Sequence, residues 1–224
     1  MLTDKISFKN FYLKKKNKNI YKDFKNLLKE KNTILESLTL NYKNSYTAKK
    51  IFKLKKYKNI RIIGMGGSIL GAESIYNFLK HKIKKKCYFV NNLHAQPEFL
   101  SKEKKKNINL IISKSGNTLE TISNSNLLIG KADKNVFITE DKKNYLSLLA
   151  KKLRSEIIQH NNFIGGRFSV LSEVGMLPAE LMGLNTKKFK QMNNLIKNQK
   201  FINSLLINVS NTLFFLKKKK NLIL

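Results

Sequence analysis

The chain has 224 residues, 45 of them Lys or Arg and 14 Asp or Glu, for a formal charge of +31. No apolar run approaches the roughly 18 residues of a membrane span, the N-terminus lacks the apolar core of a signal peptide, and a single cysteine, Cys87, excludes an intramolecular disulfide. These features lead us to expect a soluble cytoplasmic protein with no membrane partner.

The charge invites a nucleic-acid reading, but Arg stands only at positions 61, 154 and 167. Lys, Asn, Ile, Phe and Tyr abound, as A/T-rich coding would produce, and the lysines fall in surface-like runs. Nucleic-acid sites more often use Arg forks and aromatic platforms, so no specific nucleic-acid partner is expected. A hydrophobic content of 42% supports a core for one large α/β domain or one and a half smaller ones.

Residues 1–20 read as a polar arm with a few aromatics, and 21–31 and 46–57 as two helices with apolar residues at helical spacing. Strand and helix signals then alternate. Strands are expected over 60–64, 87–91, 108–113, 135–139 and 156–159. The helices between them are expected over 69–80, 97–104, where Pro97 suits a first turn, 118–130, with Gly130 as stop, and 144–153. Short apolar strands alternating with helices predict a mainly parallel sheet covered on both faces, with ligands at the carboxyl ends of its strands.

Three stretches carry chemistry. Residues 60–71 read I-R-I-I-G-M-G-G-S-I-L-G: a β-branched strand, a glycine turn and a helix start. Backbone N–H groups of Gly66 and Gly67, the Ser68 hydroxyl and the helix dipole read as a seat for a phosphate or carboxylate, with an ordinary βα turn of a parallel sheet as the alternative. The spacing matches neither the nucleotide P-loop nor G-x-G-x-x-G.

Residues 113–121, S-K-S-G-N-T-L-E-T, again join a strand to a helix. Ser113, Ser115 and Thr118 can donate to phosphate oxygens, and Lys114 supplies charge. The blander reading is a helix capped by Thr118, but this loop has more hydroxyls than a cap requires. Glu120 reads either as a surface acid or as a buried partner for a cation.

Residues 163–183 contain G-G-R-F-S-V-L-S-E-V-G-M-L-P. In a chain so poor in Arg, Arg167 after two glycines implies a planar, permanent charge that Lys cannot replace, with a structural ion pair as the alternative. Ser172 is expected to cap a helix running to Met182, stopped by Gly183. His81, His94 and His160 lack metal-ligand spacing, so no metal is expected.

Together and in order, these three stretches resemble the signatures of the phosphoglucose isomerase family over roughly residues 60–183, with Asn117 where the family usually has Thr and Glu73 where Pro is common. The resemblance implies sugar-isomerase (SIS) domains, each a flavodoxin-like αβα sandwich. It divides the chain into N-terminal arm and helices (1–58), a first SIS domain (59–183) and the start of a second (184–224). It implies interconversion of glucose 6-phosphate and fructose 6-phosphate without a cofactor. Ser68, Ser113, Ser115 and Thr118 would hold the phosphate with Lys114 beside them. Gly67 and Gly166 would present backbone to the sugar, and Arg167 would stabilise enediolate charge.

The family's proton-transferring Glu lies in an E-S-N-G-K-like motif, with a ring-opening His and a Lys further on. This sequence has only Glu173 and Glu180 after Arg167, neither in such a motif, and no His after His160. The expectation is the front part of a longer, homodimeric enzyme, with 186–197 and 201–216 helical and 221–224 opening a strand. The alternative is a stand-alone sugar-phosphate-binding SIS module.

Overall fold

The computed structural model describes residues 17–93, 107–129, 133–190 and 197–218. Five strands form one sheet: β1 (Asn59–Gly64), β2 (Lys86–Val90), β3 (Asn107–Ile112), β4 (Lys134–Thr139) and β5 (Glu156–Gln159). Their order is β2-β1-β3-β4-β5, and every neighbouring pair is parallel. This is the doubly wound, flavodoxin-like α/β order, whose crevice lies where the winding reverses between β1 and β3. The expected strands are all present, shifted by at most a residue at an end.

β3 is buried along its whole length and β1 and β4 nearly so. Ile-rich strands have this fate when helices cover both faces. On one face, helices α3 (Ala48–Leu54), α4 (Leu70–Leu79) and α7 (Glu173–Leu181) bring Ile51, Ile69, Val174 and Leu177 onto Ile60, Ile62, Leu110 and Ile138. On the other, α5 (Leu119–Leu128) and α6 (Tyr145–Lys152) cover Ile63, Ile111 and Phe137, with Leu146 and Ala150 from α6.

The second face also carries a polar row. Arg61, Asn109 and Asn135 are register partners on β1, β3 and β4. Arg61 Nη1 donates to Asn109 Oδ1 (3.3 Å) and to Leu128 O (3.0 Å), and Asn109 Nδ2 donates to Asn135 Oδ1 (2.8 Å). A buried guanidinium needs such partners. The row also ties the registers of three strands together.

Before the sheet lie α1 (Lys18–Lys29) and α2 (Thr33–Ser37). The five-residue α2 is absent from the sequence-based expectation, because it is too short to show a period. It is started by Asn32 Oδ1, which accepts from Ile34 N at 2.8 Å. The expected helix over 186–197 begins instead as a 3-10 turn, Thr186–Lys190. There Asn185 accepts from Lys187 N through its side chain and from Lys188 N through its carbonyl, closing the chain too tightly for an α-turn. The last described helix, α8 (Gln199–Lys217), covers the helix expected over 201–216. Most of the arm, His94, the helix over 97–104, the Gly130 stop and the strand start at 221–224 lie outside the described residues.

Candidate active site

The three motif turns leave the sheet at the carboxyl ends of neighbouring strands. Gly64, the last residue of β1, is in register with Ile112, the last of β3. The Ser68 turn and the Ser113 loop therefore start side by side, at the reversal point of the winding. The third turn reaches the first by direct backbone contact. A Cβ on Gly67 would lie 2.2 Å from the carbonyl oxygen of Gly166, so only glycine lets the two turns meet. Ser169 Oγ bridges both, donating to Gly67 O (3.2 Å) and Gly166 O (2.8 Å).

Ser68 is half-buried and closes a 3-10 turn, Gly66–Ser68, ahead of α4. Ser113 is buried, and its hydroxyl accepts from Gly116 N (3.2 Å) and shares a hydrogen bond with Thr118 Oγ1 (2.9 Å). Gly116 takes φ of +66° to turn this loop, and a Cβ there would strike the Asn144 side chain at 2.0 Å. Ser115 is exposed, and its Oγ accepts from Asn117 N at 3.2 Å. Asn117, the departure from the family pattern, accepts from Tyr145 N at 3.0 Å at the first residue of α6. Glu73, the other departure, accepts from Asn91 Nδ2 at 3.4 Å.

Helix starts need their free N–H groups satisfied. At α1, α2, α3, α6, α7 and α8 a side chain does this: Asn17, Asn32, Thr47, Asn144, Ser172 and Asn198 respectively. At α4 and α5 none does. Thr118 occupies the cap position of α5, as the blander reading expected, yet its hydroxyl turns to Ser113 rather than to the helix. The two uncapped starts are those that follow the first two motifs. N–H groups with no side-chain cap among the described residues, beside several hydroxyls, suit an anion.

Lys114 does not face outward freely. Its Nζ donates to Asn162 O (2.6 Å) and pairs with Glu140 (3.3 Å), which also holds Lys142 at 3.0 Å. Burial pushes the Glu140 carboxyl up, but hydrogen bonds from Lys142 and Lys114 outweigh it and leave it below its ordinary value. Arg167 is the opposite case: it is exposed, and it makes no ion pair among the described residues. Glu120 is half-buried on the first turn of α5 and likewise has no ion pair there.

His160 is buried at 2% exposure. Its N–H donates to Thr139 O at 2.8 Å, carrying the β5 ladder one residue further. Burial pushes its imidazole below the ordinary value, with Glu173 opposing. Glu173 is buried and Glu180 half-buried, accepting from Tyr42 OH (2.9 Å) and Tyr46 OH (3.1 Å) respectively. Their tyrosine partners lie more than a hundred residues away in sequence and carried no signal there. His81 is exposed in a 3-10 turn. No group of three metal-ligating side chains occurs among the described residues, and no described helix is long and apolar enough to cross a membrane.

The phosphoglucose isomerase family profile matches residues 8–209 of the chain. The chain belongs to the phosphoglucose isomerase family. Over 162 residues it is 36% identical to glucose-6-phosphate isomerase of Methanocaldococcus jannaschii, a match covering 65% of this chain and 39% of that protein. In structure it resembles a glucose-6-phosphate isomerase from Chlamydia trachomatis, with TM-score 0.59 and 20% identity, over 91% of this chain and 40% of that one. It also resembles a hypothetical protein from Thermus thermophilus, with TM-score 0.64 and 19% identity, over 88% of this chain and 52% of that one. At these identities the structural likenesses speak for the fold. The chain spans less than half the length of the curated relatives it matches.

Proposed function

We propose that this chain carries the sugar-phosphate-gripping part of an aldose–ketose isomerase that interconverts glucose 6-phosphate and fructose 6-phosphate. The observation that carries the reading is the pair of uncapped helix starts, α4 and α5, set on strands in register and flanked by hydroxyls. In this reading the phosphate takes the N–H groups there and the hydroxyls of Ser68, Ser113, Ser115 and Thr118. Ser113 and Thr118 exchange their mutual hydrogen bond for bonds to oxyanions, which are stronger because they are charge-assisted. Lys114, tied to Glu140 and Asn162, acts by shaping the loop and contributes its charge at a distance.

Gly67 and Gly166 place backbone along the sugar. Arg167, exposed and without an ion pair among the described residues, stabilises the negative charge that develops on the C1 and C2 oxygens as a proton leaves C2. Proton transfer needs a base within hydrogen-bond reach of that carbon. Glu173 and Glu180 are committed to tyrosines, so neither is that base. No carboxylate of this chain stands in the family's proton-transferring motif, so on this reading the 224-residue chain binds sugar phosphate and turns it over negligibly. The divisions at 58/59 and 183/184 fit this assignment, since the sheet and α4 to α7 fall between them.

Calorimetric titration of the chain with glucose 6-phosphate tests the reading. Saturable one-to-one binding is expected, lost in Ser113→Ala and weakened in Arg167→Lys. Heats indistinguishable from those of inorganic phosphate at equal ionic strength would contradict it.

A further inference from the structure

Glu173 is fully buried, with 0% of its surface exposed, and none of the chemistry above uses it. Its Oε1 accepts from Asn161 N at 2.8 Å, and its Oε2 accepts from Tyr42 OH at 2.9 Å. The ring of His160 stands 3.6 Å from Oε1, with Nδ1–H donating to Asn161 O at 3.0 Å. Lys190 Nζ, also buried, lies over the Tyr42 ring at 4.6 Å. A carboxylate removed from water in this way is kept because something holds it and it holds something.

What it holds is the loop that presents Arg167. Asn161 follows β5 and Glu173 opens α7, so the bond between them, twelve positions apart, closes the span that contains Gly165, Gly166 and Arg167. Within the span, Phe163 N and Ile164 N return to Asn161, Ile164 is buried, and Gly166 rests against Gly67. Tyr42, from the segment before the sheet, fixes the carboxylate from its other side. We propose that Glu173 is a positioning residue: its clasp on Asn161, set by Tyr42, holds the 161–168 loop so that Arg167 stands over the anion seat. The consequence for sugar-phosphate binding rests on the function proposed above; the clasp itself does not.

Backbone hydrogen exchange of the intact chain tests this. In Glu173→Ala, amides over 161–168 should exchange at least about tenfold faster, while those of β3 and β4 stay within about twofold. Glu173→Gln keeps an acceptor and should restore most of the protection, and it also serves if the alanine variant does not fold. Glucose 6-phosphate affinity should fall about tenfold in Glu173→Ala and recover in Glu173→Gln. Ser113→Ala should lose affinity with loop exchange unchanged. A uniform rise in exchange across the sheet, or an unchanged loop, would overturn the clasp. A loop that loosens in a protein that never bound glucose 6-phosphate would uphold the clasp and refute the proposed function instead.

Discussion

Arg61 and Arg167 are two of only three arginines in the chain, and they occupy opposite environments. Arg61 is 8% exposed, strung between Asn109 and Leu128 in a row of polar side chains beneath α5. Arg167 stands exposed after a glycine turn, with no ion pair among the described residues. A guanidinium inside a sheet has donors committed to the fold, here Nη1 to Asn109 and Leu128, so removing it costs stability. An exposed guanidinium without an ion pair among the described residues, on the turn that touches Gly67, is open to a ligand, so removing it is expected to cost binding. Scarcity of Arg in a lysine-rich chain flags both positions, but only the surroundings tell the roles apart.

Arg61→Ala should have the largest effect. It strips partners from Asn109 Oδ1 and Leu128 O and opens a void beneath α5, at a cost of about 3 kcal/mol in a urea melt. A loss below about 0.5 kcal/mol would mean the row contributes little and the contrast is empty. Gly67→Ala should follow at about 2 kcal/mol, because its Cβ meets a backbone oxygen that has no rotamer to change. Forcing the first and third turns apart should also weaken glucose 6-phosphate binding, a joint loss that Arg61→Ala should not show.

Arg167→Lys sharpens the comparison from the other side. Melting should shift by less than about 0.5 kcal/mol, while sugar-phosphate affinity drops about tenfold, because a point charge replaces a planar fork. The smallest effect is that of pH on His160, whose native imidazole is held below its ordinary value of 6.5. The unfolded chain takes up a proton near that pH and the native one resists it. Stability is therefore full above it and declines as pH falls below, by at most about 1.4 kcal/mol per unit. His160→Asn should flatten that decline between pH 7 and 5.5. Below about pH 4.5, protonation of Glu140, whose native carboxyl is held below its ordinary value, adds a further loss in both proteins. Wild-type stability that rises on acidification through pH 6 would contradict the buried, neutral imidazole.

Much of the fold was legible because the Ile-rich strands are short and separated by clear turn and cap residues. β5 falls on residues 156–159 as expected, and Ser172 begins α7 while Gly183, at φ of +90°, ends the turn after it. The three turns were legible as local patterns of glycine and hydroxyl, and their convergence followed only from the family resemblance. The direct contact of Gly67 with Gly166 left no local signal, since it joins residues about a hundred positions apart. The engagement of Lys114 with Glu140 and Asn162 escaped for the same reason. So did the tyrosine clasps: Tyr42 lies in a segment without a period, Tyr46 stood at the edge of an expected helix, and Glu173 and Glu180 looked like ordinary helix acids. One missed feature did leave a trace. Arg61, Asn109 and Asn135 each interrupt an apolar strand, and placing the strands in register aligns them.

The central claim is that the turns at Gly67, Ser113 and Arg167 grip one sugar phosphate together. Amide nitrogen–proton spectra of the labelled chain, recorded while glucose 6-phosphate is added, address it most directly. Saturable shifts that share a single dissociation constant are expected at Gly67, Ser68, Ser115, Thr118 and Gly166. Shifts that are confined to scattered lysines, or that follow separate curves at the three turns, would contradict it.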